Sequence, residues 1–350
     1  MQKAMDNDLL PLLVPVQLPF VREEEHTVDS VVLNKPRIRI LSEMPVYHEL
    51  TAEQLTRILG YSYRYIQDEC KKLSANEANM LQSVPVEKKP RDARVGNLPY
   101  VYVLGSTGRQ YLLSEGHTVW PRWRPEEEKD RAGYLHTLAL NDVLINARTL
   151  QNEHPGFILE NFVHERVFHS EPIRVVSPNK STPENLRPDL WLDIRDYNTR
   201  KMYAYSVEVN LTHLDRKRFV KKLRLYLNSR ASGYKERFGT QIHVVLFVIQ
   251  TRSHFPRPYR DISYQPTPQE LKNREIESIR GQNRLMDFNR WTEEELTRAG
   301  EISDASFFRF SCAPLDTLTP SEFFFSPHFY VPFVDSPSPL IPWKVEEKRE

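Results

Sequence analysis

Two acidic residues in the middle of the chain have the spacing of candidate metal ligands. Asp189 begins one predicted strand, and Glu208 lies inside the predicted strand that follows. Mg²⁺ takes hard oxygen ligands and keeps several waters, so one or two carboxylates suffice to hold it, and Mn²⁺ accepts the same ligands. We therefore expect this pair to bind Mg²⁺ or Mn²⁺. A solvated hairpin carrying two acids is the competing, purely structural interpretation.

Alternating residue types predict the two strands that would position these acids. In the first strand Leu190 and Leu192 share a face, and a polar turn over residues 196–199 ends it. In the second strand Glu208 and Asn210 point the same way, because side chains alternate between faces. The other face carries Tyr203, Tyr205, Val207 and Val209. The two carboxylates should then meet at one end of the sheet, and their repulsion should raise the pKa of one of them.

A basic helix is predicted directly after the second strand, with Thr212 as its possible N-cap. Its apolar stripe consists of Phe219, Leu223, Tyr226 and Leu227. Cationic side chains cover the remaining surface, and we take Lys217 and Lys221 as candidate contacts to DNA phosphates. Acids that hold a metal ion beside a phosphate-binding helix favour phosphodiester chemistry.

Length and composition set the frame for this chemistry. The chain has 350 residues, a formal net charge of +1 and 39% hydrophobic residues, which favours two domains with real cores and only local basic surfaces. Its two cysteines, Cys70 and Cys312, are too far apart for a metal motif or a disulfide framework, which predicts a cytoplasmic protein. We find no segment typical of a membrane span or signal peptide, and expect no membrane partner.

An N-terminal arm over residues 1–34 should precede a helical DNA-binding domain at 35–118. Pro36 can open a first helix, and Thr51 with Gln54 forms the capping box of a second, which Gly60 ends. A third helix follows at 61–73. Two short helices joined by a tight turn are typical of a helix-turn-helix, whose second helix reads bases with its first residues. Here those residues are Ser62, Tyr63, Arg64 and Gln67.

A strand, a basic tip and a returning strand at 100–104 should follow, with a closing helix from Thr107. The tip carries Lys88, Lys89, Arg91 and Arg94, which suit a phosphate backbone. The arrangement predicts a winged helix-turn-helix whose partner is double-stranded DNA. A three-helix bundle used for protein contacts is the alternative.

After a linker at 119–130, residues 131–255 should form a second domain. A helix at 131–150 and a strand at 157–168 precede the hairpin, a loop at 170–186 separates them from it, and a buried strand at 242–249 follows the basic helix. The resulting order is helix, strand, strand, strand, helix, strand.

That order resembles the αβββαβ core of the PD-(D/E)xK nuclease superfamily. Pro188 and Asp189 match its PD, and Glu208 to Asn210 stand where its acid and lysine belong. The resemblance implies a catalytic set of Asp189, Glu208, Asn210 and Lys222. Asn210 replaces the lysine that normally activates the attacking water, which argues against full activity. Lys201, Lys217, Lys221 or Lys222 would have to substitute for it.

A second resemblance covers most of residues 36–255. The winged helix, the helix containing LHTLALNDV, the RPD strand, the strand end from Glu208 to Thr212 and the helix with Lys222 and Tyr226 occur in the order seen in the replication-relaxation family. The resemblance implies an association with plasmids or other mobile elements and a role in DNA replication or relaxation.

Residues 256–350 read as an extension rich in proline and aromatic residues. Residues 253–350 hold eleven of the 26 prolines. A charged segment at 268–300 should form one or two exposed helices, and the aromatic segment after it should lie against the folded body or a partner, such as a replication or mobile-element protein.

These features together predict an α/β fold, α+β over the whole chain, and a DNA-binding protein of the replication-relaxation type. Its nuclease-like domain would bind DNA, metal or partners without cutting. The first alternative is an Mg²⁺- or Mn²⁺-dependent endonuclease, a nickase with a relocated lysine. The second is a transcription regulator that uses only the winged helix.

Overall fold

The computed structural model describes residues 14–15, 26–28, 31–75, 77–85, 100–119, 131–177, 182–211, 214–231, 233–240, 243–249, 268–312, 315 and 318–342. The chain divides into two compact units. Unit 1 comprises Met1–Val16, Asn146–His254 and Leu271–Glu350, and unit 2 comprises Gln17–Ile145 and Phe255–Glu270. The predicted wing tip with Lys88, Lys89, Arg91 and Arg94 lies outside the described residues, as do residues 120–130 of the predicted linker.

Helices and strands are mixed along the chain, as the predicted α/β class requires. The strands are β1 (Val14–Pro15), β2 (His26–Val28), β3 (Val31–Leu33), β4 (Glu49–Thr51), β5 (Leu81–Pro85), β6 (Tyr100–Leu104), β7 (Phe157–His164), β8 (Ile173–Val175), β9 (Glu184–Leu186), β10 (Leu190–Asp196), β11 (Lys201–Asn210), β12 (Val244–Ile249) and β13 (Phe308–Ser311). The helices are α1 (Lys35–Tyr47), α2 (Ala52–Leu59), α3 (Tyr63–Leu73), α4 (Ser106–Ser114), α5 (Arg131–Glu153), α6 (Glu165–Ser170), α7 (Arg216–Ser229), α8 (Tyr234–Phe238), α9 (Pro268–Ala299) and α10 (Pro320–Phe325). None of the helices in the described ranges has both the length and the apolar composition needed to cross a membrane.

Unit 2 is built on short helices whose ends are set by local hydrogen bonds. Thr51 and Gln54 form the predicted capping box of α2, and Gly60 ends that helix in the left-handed conformation, with φ +74°. Beside the helices, β4, β6 and β5 form an antiparallel sheet in that order. Gln54 Nε2 donates to the Leu138 carbonyl oxygen at 2.8 Å, so α2 is tied to the first half of α5.

Unit 1 is organised around a six-stranded sheet with the order β1-β7-β10-β11-β12-β13. In this order, β1, β7, β10 and β11 pair antiparallel with one another, whereas β11, β12 and β13 run parallel. The central strands are buried on both faces, and α7 lies over one of them, where Phe219 packs 5.3 Å from Phe247 between ring centroids. Because parallel strands cannot be joined by a tight turn, the connection from β11 to β12 runs through a helix.

The C-terminal segment belongs to unit 1 and completes its sheet. Strand β13 was not predicted, and it pairs with β12 through Phe247 and Phe310, whose rings stack at 5.3 Å. The predicted exposed helices form the single helix α9, whose second half is buried through Phe288, Thr292 and Leu296. Phe288 stacks on Phe219 at 4.5 Å, so this part of α9 packs over the sheet and contributes to the core.

Several predicted element boundaries were wrong. The strand predicted at 157–168 ends at His164, because the His164 side chain caps the Arg166 N–H and starts α6. The loop predicted at 170–186 contains the antiparallel pair β8 and β9. The N-cap of α7 is Asp215 in place of Thr212, since Asp215 Oδ1 accepts from the Arg218 N–H at 2.9 Å.

Candidate functional site

The pairing register of the strands brings three carboxylates together at one end of the central strands of the unit 1 sheet. Leu190 at the start of β10 lies opposite His164 on β7 and opposite Val207 on β11. Asp189 is one residue before Leu190, and Glu165 is one residue beyond His164. Glu208 follows Val207, so all three acids stand where β7 and β11 end and β10 begins. Carboxylate oxygens of Glu165 and Asp189 lie within 4.8 Å of each other.

Asp189 is fixed by the backbone of the neighbouring strand. Its N–H donates to the Val207 carbonyl oxygen at 3.1 Å, and its Oδ2 accepts from the Val209 N–H at 2.8 Å. These contacts on either side of Glu208 hold the Asp189 carboxylate next to the Glu208 side chain. The predicted meeting of the two acids is therefore present in the structure.

Glu208 is buried and held by two residues of α7. Tyr226 donates its hydroxyl hydrogen to Oε1, and Lys222 donates to Oε2 as an ion pair. Lys222 and Tyr226 are four residues apart, so they lie on the same face of the helix. The helix that follows β11 thus supplies both partners of the carboxylate on β11.

The charges of this cluster shift the pKa of both members of the ion pair. Burial, followed by the charge of Asp189, raises the pKa of Glu208 to about 8, against the lowering effect of Lys222 and Tyr226. Burial acts to lower the pKa of Lys222, but the charges of Glu208, Asp189 and Glu165 outweigh it and raise that pKa. Buried groups with such shifts often mark functional sites.

Asn210 extends the cluster on the same face of β11. Its Oδ1 is buried and has no hydrogen-bond partner among the described residues. Like the carboxylates of Glu165 and Asp189, this amide oxygen is a hard donor. Such oxygens suit Mg²⁺ or Mn²⁺ better than a soft metal ion.

The other predicted cations of this region lie outside the cluster. Lys217 and Lys221 are exposed on α7, and Lys221 pairs with Glu184 of β9 at 3.7 Å. Lys201 lies opposite Asp196 at the far end of β11, seven positions from Glu208, so the suggestion that it replaces the missing lysine was wrong. Of the four lysines considered for that role, Lys222 is the one that contacts Glu208.

In unit 2 the predicted base-contacting residues stand at the start of α3. Ser62 is the N-cap, and its Oγ accepts from the Tyr65 N–H at 3.4 Å. Arg64 and Tyr65 are exposed, and Tyr63 and Gln67 are half-buried. Arg64 forms no ion pair within the described ranges, which leaves its guanidinium available to a ligand.

Sequence reasoning missed two members of the unit 1 cluster. Glu165 was placed inside a strand, and Tyr226 was assigned to the apolar stripe of its helix and to the family pattern, without a contact to Glu208. The antiparallel pairing of β7 with β10 would have placed Glu165 beside Asp189 once the strand was ended at His164. For Tyr226, the spacing of four residues from Lys222 indicates that both side chains lie on the same face of the helix.

Comparison with known proteins identifies a family. The model of the Replication-relaxation family matches residues 46–245, more than half of the chain, and the match contains Asp189, Glu208 and Lys222. No curated protein and no solved structure matches the chain. The chain belongs to the Replication-relaxation family, which confirms the resemblance read from the order of its motifs.

Proposed function

We propose that this chain is a DNA-binding protein of the replication-relaxation type, associated with a plasmid or another mobile element. Unit 2 binds double-stranded DNA through a winged helix. Unit 1 carries a PD-(D/E)xK-like site that binds DNA phosphates and a divalent cation without efficient cutting. The C-terminal segment contacts a replication or mobile-element protein.

The element order of unit 2 supports the winged helix. The chain runs α1, β4, α2, α3, β5 and β6, and β6 pairs with both β4 and β5. This is the order of a helix-turn-helix followed by a strand pair. The exposed residues at the start of α3, with Arg64 among them, are those that such a helix presents to base edges.

The element order of the second region supports the nuclease-like site. The helix α5, the strands β7, β10 and β11, the helix α7 and the strand β12 follow each other as the αβββαβ core requires, with α6, β8, β9 and α8 as insertions. Asp189 begins the second strand of the core and Glu208 stands near the end of the third. These are the places that the PD-(D/E)xK pattern gives to its acids.

The contact of both Glu208 oxygens with α7 is the observation that favours binding over cutting. Lys222 donates to Glu208, and Asn210 cannot replace it because an amide carries no charge and is a weak base. The lysine function that the superfamily uses to activate water is therefore engaged inside the protein. The cluster can still receive a cation and a phosphate.

Glu165, Asp189 and Asn210 are the residues that would hold the divalent cation. A bound Mg²⁺ or Mn²⁺ would neutralise phosphate charge and act as a Lewis acid. Asp189 Oδ2 accepts from the Val209 N–H, and a carboxylate oxygen of Asp189 lies within 4.8 Å of one of Glu165. Lys222 and Tyr226 hold Glu208 in place behind them.

An Mg²⁺- or Mn²⁺-dependent nickase is the second candidate, and the position of Lys222 favours it. The Lys222 ammonium group lies beside Glu208 and interacts with the charges of Asp189 and Glu165. A relocated lysine would be needed at this position. A small movement of Lys222 from Glu208 to a bound phosphate would supply the missing cation.

Incubation of the full chain with supercoiled plasmid and Mg²⁺ or Mn²⁺ separates the two candidates. We expect the wild type to leave the plasmid supercoiled and to retard it on a gel. We expect Asn210→Lys to introduce nicking that Asp189→Ala abolishes. Nicking by the wild type that is lost in Asp189→Ala and Glu208→Ala would establish the nickase.

Binding to a duplex at several salt concentrations tests the role of unit 2. Arg64→Ala should weaken binding most on a preferred sequence, whereas Lys89→Ala should weaken all sequences and lower the salt slope by about one unit. Arg290→Ala, on the exposed side of α9, is the matched control and should bind as the wild type does. Unchanged binding in the double variant Arg64→Ala, Lys89→Ala would make the winged helix a protein-contact module.

A further inference from the structure

A cavity of about 460 Å³ lies in unit 1 between α9 and the C-terminal segment. One face of α9 supplies a wall through Leu285, Met286, Asn289 and Glu293, and Tyr330 and Asp335 belong to the other wall. The cavity is large enough for one or two side chains or a drug-sized molecule. It is separate from the carboxylate cluster at the sheet edge.

The rim of this cavity is apolar and exposed. The side chain of Met286 is 65% exposed, and Phe333 and Val334, on the turn beside the cavity, are 44% and 46% exposed. Exposed apolar residues grouped around a concave site are typical of protein-binding surfaces, because water is unfavourable next to all of them at once. A small molecule inside the cavity would leave this rim uncovered, so the rim favours a polypeptide as the occupant.

The turn that contains Phe333 and Val334 has an unfavourable backbone conformation, and a residue of the cavity wall holds it there. Phe333 has φ +63°, a left-handed backbone that a bulky residue rarely adopts. Its N–H donates to Glu293 Oε1 at 2.7 Å, and the same oxygen accepts from Asn289 Nδ2 at 3.1 Å. The helix thus fixes the turn in the form that displays Phe333 and Val334, and strain of this kind is concentrated at binding sites.

An acceptor without a partner defines the chemistry inside. Asn289 lines the cavity, and its Oδ1 is buried with no hydrogen-bond partner among the described residues. A buried carbonyl oxygen without a donor is costly, so the occupant should bring an N–H group to it. Glu293 and Asp335 add two carboxylates, and none of the described residues that line the cavity is a lysine or an arginine. The occupant should therefore be a cationic donor on an apolar stem.

We propose that this cavity docks a basic side chain, lysine or arginine, flanked by an apolar residue on a protein partner. The ammonium or guanidinium group donates to Asn289 Oδ1 and faces Glu293 and Asp335. The hydrocarbon stem packs on Leu285 and Met286, and the flanking apolar residue covers Phe333 and Val334. The proposal names a site for the partner contact of the C-terminal segment and does not depend on DNA binding or on the metal site.

The test uses the full chain labelled with ¹³C at the methionine methyl groups. The Met286 signal, assigned through Met286→Leu, is followed during titration with the peptide acetyl-Leu-Arg-Leu-amide. The matched peptide with norleucine in place of arginine keeps the stem and removes the charge. Agmatine supplies the guanidinium on a small molecule. We expect the arginine peptide to shift the Met286 signal and to bind at least about tenfold more tightly than either comparison ligand.

Three variants connect the binding to the cavity. Asn289→Leu removes the acceptor at similar volume, and Asp335→Asn removes an exposed charge; each should weaken the arginine peptide, the first by about tenfold. Asn283→Leu, on the same helix but outside the lining, should bind as the wild type does. Equal binding of the two peptides, or unchanged binding in Asn289→Leu, would overturn the proposal. Agmatine binding as tightly as the peptide would make the cavity a small-molecule site, and no Met286 shift at millimolar peptide would exclude docking of a basic side chain.

Discussion

Two buried glutamates, one in each unit, have similar surroundings and opposite titration behaviour. Glu69 on α3 and Glu208 on β11 are 3% and 4% exposed. Each accepts hydrogen bonds from two side chains: Arg37 and Lys72 in the first case, Lys222 and Tyr226 in the second. Burial acts to raise the pKa of both. In Glu69 the hydrogen bonds and charges of Lys72 and Arg37 outweigh it, and the pKa is lowered.

The difference lies in the depth of burial and in the charges beyond the hydrogen bonds. Two cations, Arg37 and Lys72, donate to Glu69. Lys222 donates to Glu208, but burial and the charge of Asp189 outweigh it and raise the pKa of Glu208 to about 8. The first arrangement pairs a carboxylate with two cations, whereas the second places further carboxylates beside an ion pair, as sites that receive a cation often do.

Glu69→Gln should have the largest effect. The side chain of Arg37 is 15% exposed, and loss of its carboxylate leaves a largely buried guanidinium without its ion-pair partner. We expect a loss of about 3 kcal/mol in the free energy of opening of α3, measured by hydrogen exchange. Asp68→Asn, which removes an exposed acid from the same helix, should have almost no effect.

Glu208→Gln is the counterpart in unit 1. We expect a change below about 1 kcal/mol in the opening of β11, because the loss of repulsion from Asp189 offsets the loss of the ion pair. A loss as large as that of Glu69→Gln would show that the acidic cluster is a structural element, and the comparison would fail.

Manganese should sharpen the comparison by acting on one unit only. At a free Mn²⁺ concentration about 100 times the Kd, binding stabilises the native state by about 2.7 kcal/mol. We expect millimolar Mn²⁺ to raise the midpoint of thermal unfolding. Hydrogen exchange should become slower in β10 and β11 and stay unchanged in α3. Asp189→Asn should abolish the shift, while Glu160→Gln, an acid that pairs with Arg195, should retain it. A shift that persists in Asp189→Asn would place the ion elsewhere.

The pH dependence of the two units should have opposite signs. The pKa of Glu69 is lowered on folding, so its contribution is present above its unfolded pKa and is lost as pH falls through the folded one. The difference between wild type and Glu69→Gln should therefore shrink toward acid pH. The pKa of Glu208 is raised to about 8, so its contribution is present below its unfolded pKa and is lost as pH rises toward 8. Hydrogen exchange in EDTA, corrected for the intrinsic rate, measures both; parallel slopes would contradict the assignment.

Removal of one hydrogen-bond donor from each glutamate should give effects of about 1 kcal/mol or less. Tyr226→Phe deletes a fully buried hydroxyl and should cost about 1 kcal/mol in unit 1. Lys72→Met deletes an ammonium group on a side chain that is 57% exposed and should cost about 0.5 kcal/mol in unit 2, because solvent screens it. The reverse order would mean that charge matters more than burial at both sites.

Local features of this chain were readable from the sequence because they depend on neighbouring residues. The capping box of Thr51 and Gln54, the end of α2 at Gly60 and the alternation that puts Glu208 and Asn210 on one face are all present as predicted. Each depends on contacts within four residues or on the two-residue period of a strand. The apolar stripe of α7 was predicted on the same basis, and its four residues are buried.

Features that depend on pairing between distant segments were decided by the tertiary structure. Glu165 joins Asp189 only through the register of β7 with β10, and Lys222 reaches Glu208 only because α7 folds back over β11. The sixth strand β13 alternates phenylalanine with Arg309 and Ser311, but its place in the sheet is set only by pairing with the distant strand β12. The sequence by itself determined which residues carry charge and the local signals that cap α2 and give β11 its alternation. The fold decided which charges lie together, and these neighbours, with burial, shift the pKa of Glu208 and of Lys222.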